Sequence, residues 1–340
     1  MRAFKMQKES LGDFFNAIRS FGELWGPVKH GDGFILDKIK NHSDIDLSAL
    51  RTKIPFKKLL LPPRFSMFSF NQENIVAPSI EELPHRVIFG MHPCDIHALM
   101  IMDNFFTMHT PDPYYLERRK RTAILGLSCM PDDQCFCKST NTHYAEKGFD
   151  LGFTDLGDFF LLWVGSSLGD DMIRECPDLL NEKIDRKDLR KYINWRKKRE
   201  QSFKINLDLT GMPSIMELCW NSPLWDELGE KCLSCGACTI VCPTCPCFNI
   251  IDEMNLSLQK GKRVRQWDSC MFNDYSMVAG GHNFRQSRSE RLKLRFTHKL
   301  QAFIGKFGEP ACVGCGRCID TCPVGIDMHS VSLQLLSCAD

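Results

Sequence analysis

Apolar residues at Leu11, Phe14, Phe15, Ile18, Phe21 and Leu24 recur every three or four positions, the spacing of one buried helix face, with stop signals between Gly22 and Gly26. The pattern then shortens. Gly33–Leu36 and Arg64–Phe70 read as extended segments, set apart by Pro62-Pro63. Arg86–Met91 is a continuous apolar strand, followed by the turn His92-Pro93-Cys94-Asp95 and a helix from Ile96 to about Phe105. A second strand at Ala123–Ser128 completes a unit that predicts a parallel βαβ crossover. Alternation around Leu151–Val164 predicts a hairpin turning at Leu156-Gly157-Asp158. Residues 185–204 predict a long helix bearing Arg186, Lys187, Arg190, Lys191, Arg196, Lys197, Lys198 and Arg199. The ordinary reading of such a helix is a solvated face, and the other is a face that docks a partner. Thr210-Gly211-Met212-Pro213 marks a boundary, after which cysteine dominates.

The chain has 340 residues, with 43 basic against 42 acidic side chains and a net charge of +1. That balance excludes a protein built to coat nucleic acid or an acidic membrane. Met1–Glu9 lacks the apolar core of a secretory signal, and the longest apolar run, Phe159–Val164, is far too short to span a bilayer. There are 18 cysteines. In a chain this long without a secretory signal they point to metal ligands in a reducing, cytoplasmic compartment rather than to disulfides.

Their spacing specifies the metal. Cys232-x-x-Cys235-x-x-Cys238-x-x-x-Cys242-Pro243 recurs as Cys312-x-x-Cys315-x-x-Cys318-x-x-x-Cys322-Pro323. Three thiolates two residues apart wrap one corner of a 4Fe–4S cubane, and the fourth reaches the other cluster in two-cluster ferredoxins. This rule assigns Cys232, Cys235, Cys238 and Cys322 to one cluster, and Cys312, Cys315, Cys318 and Cys242 to the other. Zinc, the alternative, uses four tetrahedral ligands in two separated pairs, which this repeat does not resemble. Gly236, Gly314 and Gly316 let the backbone approach a cluster.

A third site is expected upstream. Cys94 and Cys129 each follow a strand of the βαβ unit, so both emerge at the carboxyl edge of a parallel sheet, where ligands gather. Cys135 and Cys137 lie one short loop further on. Four thiols thus converge, with Asp95 as a neighbouring oxygen. The alternatives are a zinc ion or small buried hydrophobes. Cys245, Cys247 and Cys270 are left between packing around the clusters, reactive thiols and ligands. No Gly-x-Gly-x-x-Gly follows a strand, so no nucleotide or flavin site is expected on this chain.

The runs Cys232–Cys247, Arg265–Cys270, Gly280–Arg285 and Cys312–Cys318 resemble the β subunit of cytosolic sulfhydrogenase, the NAD(P)-linked nickel–iron hydrogenase. The equivalent electron-transfer subunit of anaerobic sulfite reductase shares the resemblance. Gly90–Leu99 and Ser128–Cys137 match in the same order, so the likeness covers nearly the whole chain. It implies a non-catalytic subunit that carries electrons through 4Fe–4S clusters between a flavin subunit handling NAD(P)H and a catalytic subunit. The resemblance implies ligand roles for Cys94, Cys129, Cys135 and Cys137, and it extends to Cys245, Cys247 and Cys270. His282 and Arg285 fall in its motifs as cations near a cluster or as surface residues. The expected terminal partner is a nickel–iron hydrogenase, the alternative is a sirohaem sulfite reductase, and a redox sensor is a minor third. The expected fold class is α+β, an α/β domain over 1–212 and an α-helical dicluster ferredoxin-like domain over 213–340. Basic faces at 185–204 and 285–299 are the expected docking points.

Overall fold

The computed structural model describes residues 2–76 and 83–338. Strands β1 (Ala3–Gln7), β2 (Glu23–His30), β3 (Gly33–Lys38), β4 (Arg64–Asn71), β5 (Ile75–Val76), β6 (Arg86–Met91), β7 (Thr122–Leu127), β8 (Leu151–Asp155), β9 (Phe159–Val164), β10 (Leu180–Asn181), β11 (Phe248–Met254) and β12 (Lys260–Trp267) form two sheets. The larger has eight strands in the order β10-β1-β9-β8-β7-β6-β2-β3. Its centre, β2-β6-β7-β8, is parallel, and both flanks are antiparallel.

The central strands are apolar on both faces because both are covered. Every residue of β7 is buried. Val87 and Phe89 of β6 face a core with the helix Leu11–Ala17, while Ile88 faces a second core with the helix Pro93–Thr107. Edge-on aromatic contacts lock the first core, with ring centroids of Phe15 and Phe89 4.9 Å apart and of Phe89 and Phe153 5.5 Å apart.

The βαβ crossover and the hairpin stand where the alternation puts them. The first helix is shorter than its apolar spacing suggests: it ends at Ala17, passes through a 3₁₀ turn over Ile18–Phe21 and stops at Gly22. Gly22 has φ 145°, and a Cβ there would lie 2.5 Å from the His85 backbone. Leu24 therefore belongs to β2, inside the same core.

The part after residue 212 is helical around its cysteines and also contributes β11 and β12. These join β4 and β5 in the second sheet, in the order β11-β12-β4-β5. Strands from both sides of the 212 boundary thus share one sheet, with β12 pairing β4 from Lys260↔Asn71 to Gln266↔Arg64. The chain is α+β. Among the described residues, no helix is long and apolar enough to cross a membrane.

Candidate metal centre

The first motif starts where the helix Leu224–Lys231 ends, with the Cys232 N–H donating to the Leu228 carbonyl. Gly236 then takes φ 73° and opens the short helix Ala237–Ile240. The second motif repeats this geometry, with Gly316 at φ 77° opening Arg317–Thr321. Only glycine adopts this left-handed conformation freely, and here it turns the loop so that three thiols face one side.

Cys232, Cys235, Cys238 and Cys322 line one cavity, closed by Met271, Leu292, Arg295 and Ile326. Residues from both motifs therefore face one space. Cys242 crosses in the other direction, with Cys312 and Cys315 among its neighbours. Burial raises the Cys312 thiol to about 12, against the opposing pull of Lys299 and the Gly314 backbone N–H. Burial also raises Cys238, with Arg295 opposing it.

The four upstream thiols lie near one edge of the large sheet. Cys94 lies in the first turn of Pro93–Thr107, directly after β6, and the Cys129, Cys137 and Cys315 thiols are among its neighbours. Cys135 and Cys137 face the same group, Cys137 beside Cys129. This third group adjoins the second motif. Phe136 N–H donates to the Gly314 carbonyl at 2.9 Å, and a Cβ on Gly314 would meet the Phe136 and Cys137 backbone at 2.5 Å. Asp95 does not face the thiols as a ligand. It holds Arg317 in a buried two-point pair, 2.8 and 2.9 Å, that ties the βαβ unit to the second motif.

Buried cations surround these thiols, and their positions were not readable from sequence. Arg199, Arg295, Lys299, Arg317 and Lys57 are each at most 3% exposed. Arginine and lysine are almost never buried this far without an anionic partner. Lys57 donates to the carbonyls of Thr239 and Cys245, and Lys299 to those of Thr244 and Ala311. Arg199 donates Nε–H to the Cys129 carbonyl at 2.5 Å, and both its Nη atoms have no partner. Arg295 leaves Nε and Nη1 without partners while standing near Cys238 and Cys318. Both nitrogens of the buried His92 face carbonyls, Nδ1 to Leu127 at 2.7 Å and Nε2 to Ala49 at 2.8 Å. Burial works to lower the His92 pKa, but the Cys129 thiol and these two carbonyls outweigh it and raise it to about 9. Burial works to raise the Cys129 thiol, but His92 and Arg199 outweigh it and hold it down at about 7.

Arg51 donates to the Cys135 sulfur at 3.2 Å from an arm anchored on Asp132 at 2.7 Å. Unpartnered guanidinium N–H groups aimed at clustered thiols fit an anionic iron–sulfur core, whose sulfides accept hydrogen bonds. Among the described residues, no three His, Cys, Asp or Glu side chains gather as one bare metal ion requires. The first group's thiols line a cavity instead.

Two expectations change. The helix Arg186–Gln201 is mostly solvated, yet Arg199 turns inward to the third thiol group. In the stretch 285–299, Arg291, Arg295 and Lys299 point into the protein, while Arg288 is exposed and Arg285 and Lys293 are half-buried. His282 is exposed, while Arg285 lines a cavity with Cys245, Cys247 and Cys270.

A 4Fe-4S dicluster domain family matches residues 231–326. Sulfhydrogenase 2 subunit beta of Pyrococcus furiosus is 37% identical over 331 residues, 96% of each chain. No solved structure matches the chain. With that identity along almost its full length, and with both cysteine motifs facing one another as a dicluster domain requires, the chain belongs to the family of sulfhydrogenase beta subunits.

Proposed function

We propose that this chain is the electron-transfer subunit of a hydrogenase-type complex. It passes electrons between a flavin subunit that handles NAD(P)H and a catalytic nickel–iron subunit. Cys232, Cys235, Cys238 and Cys322 hold one 4Fe–4S cluster, and Cys312, Cys315, Cys318 and Cys242 a second. Cys94, Cys129, Cys135 and Cys137 hold a third. When bound, each cluster supplies one-electron exchange.

The observation that carries the reading is the set of buried cations beside three neighbouring thiol groups, of which Arg199 and Arg295 each leave two guanidinium nitrogens without a protein partner. Arg295 stands by the first and second groups, and Lys299 and Arg317 by the second. Arg199 and His92 stand by the third. A positive charge fixed in a low-dielectric interior stabilises the electron-rich state of whatever the thiols hold and raises its potential. Met271, Leu292 and Ile326 give the first group apolar walls, while Cys235 stays exposed at its rim.

Hydride from NAD(P)H carries two electrons and a cluster accepts one, so a flavin must stand between them. The isolated chain, prepared anaerobically, should be bleached by dithionite and left unchanged by NADH or NADPH. Adding the flavin subunit should restore reduction. Stoichiometric flavin on the purified chain, or bleaching by NADPH alone, overturns the proposal.

A further inference from the structure

One cavity belongs to none of the three thiol groups. It encloses about 510 Å³, within the range of ligand sites. Cys245 and Cys247 reach it from the Cys-Pro-Cys run that leaves the first motif, and Cys270 from the loop after β12. Arg285, Arg295 and Lys299 line it, and no carboxylate does. Arg295 is buried with two nitrogens unpartnered, so the cavity wall carries positive charge with hydrogen-bonding capacity to spare. The helix supplying that wall widens into a π turn over His298–Ala302, a distortion found disproportionately at functional sites.

Three thiols facing buried cations call for an anionic, sulfur-rich occupant. We propose that this cavity houses a further 4Fe–4S cluster, held by Cys245, Cys247 and Cys270, with its fourth iron turned to the cavity. The site is wired to the other groups by contact. Arg295 also lines the cavity of Cys232, Cys235, Cys238 and Cys322, and Cys245 lies three residues beyond Cys242. The rival occupant is a Cys247–Cys270 disulfide, because both thiols line the same cavity. A disulfide leaves Cys245 idle and the cavity without an occupant, whereas a three-thiolate cluster uses all three thiols.

The test uses the full chain reconstituted anaerobically with ferrous iron and sulfide. The double variant C247S/C270S should bind about four fewer irons and sulfides per chain than the wild type, one cubane's worth. Its remaining chromophore should still bleach with dithionite. Ferricyanide should remove the iron that lacks a thiolate, giving a 3Fe–4S EPR signal in the wild type that the variant lacks. In the loaded wild type, Cys245, Cys247 and Cys270 should resist iodoacetamide and become labelled after chelation. Equal iron in both proteins, or a Cys247–Cys270 disulfide peptide from loaded wild type, overturns the site. If the variant loads no iron at all, the wild-type labelling pattern decides. None of these negative outcomes touches the electron-transfer reading, whose motifs lie elsewhere.

Discussion

Arg199 carries its charge at the inner end of an otherwise solvated helix, 1% exposed, with the Cys129 and Cys137 thiols as its neighbours. Nothing in the sequence separates it from the other basic residues of 186–201, because periodicity names a face and cannot say which single residue turns in at a helix end. Its chemistry is nevertheless specific. A fixed guanidinium favours the more negative state of a group it faces. Arg199→Met keeps most of the stem and removes the charge, so the third group's potential should fall, on the order of 60 mV, or ~1.4 kcal/mol for one electron. EPR-monitored titration of the loaded protein measures this, and Arg199→Lys should recover part of the shift. A merely structural role would lower cluster content and leave the potential where it was. An unmoved potential in fully loaded protein removes Arg199 from the electrostatics of the site.

Between residue and whole molecule, the working element is a pair of loops, 129–137 and 312–318, pressed backbone to backbone. Gly314 at φ 59° is the contact, with no room for a Cβ, while Gly325 at φ 67° has a similar conformation and open space around it. Their alanine variants form an internal control. Each pays the left-handed penalty of about 1–2 kcal/mol. Gly314→Ala must also push the two loops apart, so iron content should fall by more than one cluster, whereas Gly325→Ala should load normally and lose a few degrees in Tm. Equal iron loss in both would show that conformation matters and loop contact does not. The local parts of this architecture were legible: the crossover at 86–127, the hairpin at 151–164 and the repeated cysteine spacing all lie within short windows. β1 was not, since Phe4 and Met6 alternate with polar residues over only five positions. Nor were β11 and β12, which are rich in charged and exposed residues and become strands by pairing with β4. The placement of Cys94 and Cys129 just past β6 and β7 was legible because parallel strands deliver their ends to one edge. The cations were not, because burial of a charge is decided by distant chain.

At the scale of the whole molecule the iron-binding part and the α/β part interpenetrate, and the chain should fold as one unit. The 212 boundary is crossed by β12 on β4, by Lys57 on the Thr239 and Cys245 carbonyls, by Thr142 on the Val313 carbonyl and by Asp95 on Arg317. A fragment ending at residue 212 would leave Lys57 without acceptors and Asp95 without its cation. Removing one partner of a buried ion pair alone costs about 3–5 kcal/mol, against total stabilities of about 5–15 kcal/mol. The fragment would also bare β4 as an open edge carrying Phe65, Phe68 and Phe70, which invites association. Residues 1–212 expressed alone should therefore aggregate, or elute as an expanded species without a cooperative thermal transition. Chelating iron from the full chain should loosen the same seam, because thiolate binding at the second motif holds the 312–318 loop against 129–137 and so contributes to folding. Circular dichroism melts and size-exclusion chromatography of the fragment, beside the loaded and chelated full chain, measure both effects. A monomeric, cooperatively melting fragment would show that the α/β part stands without its partner and that the seam joins two finished folds.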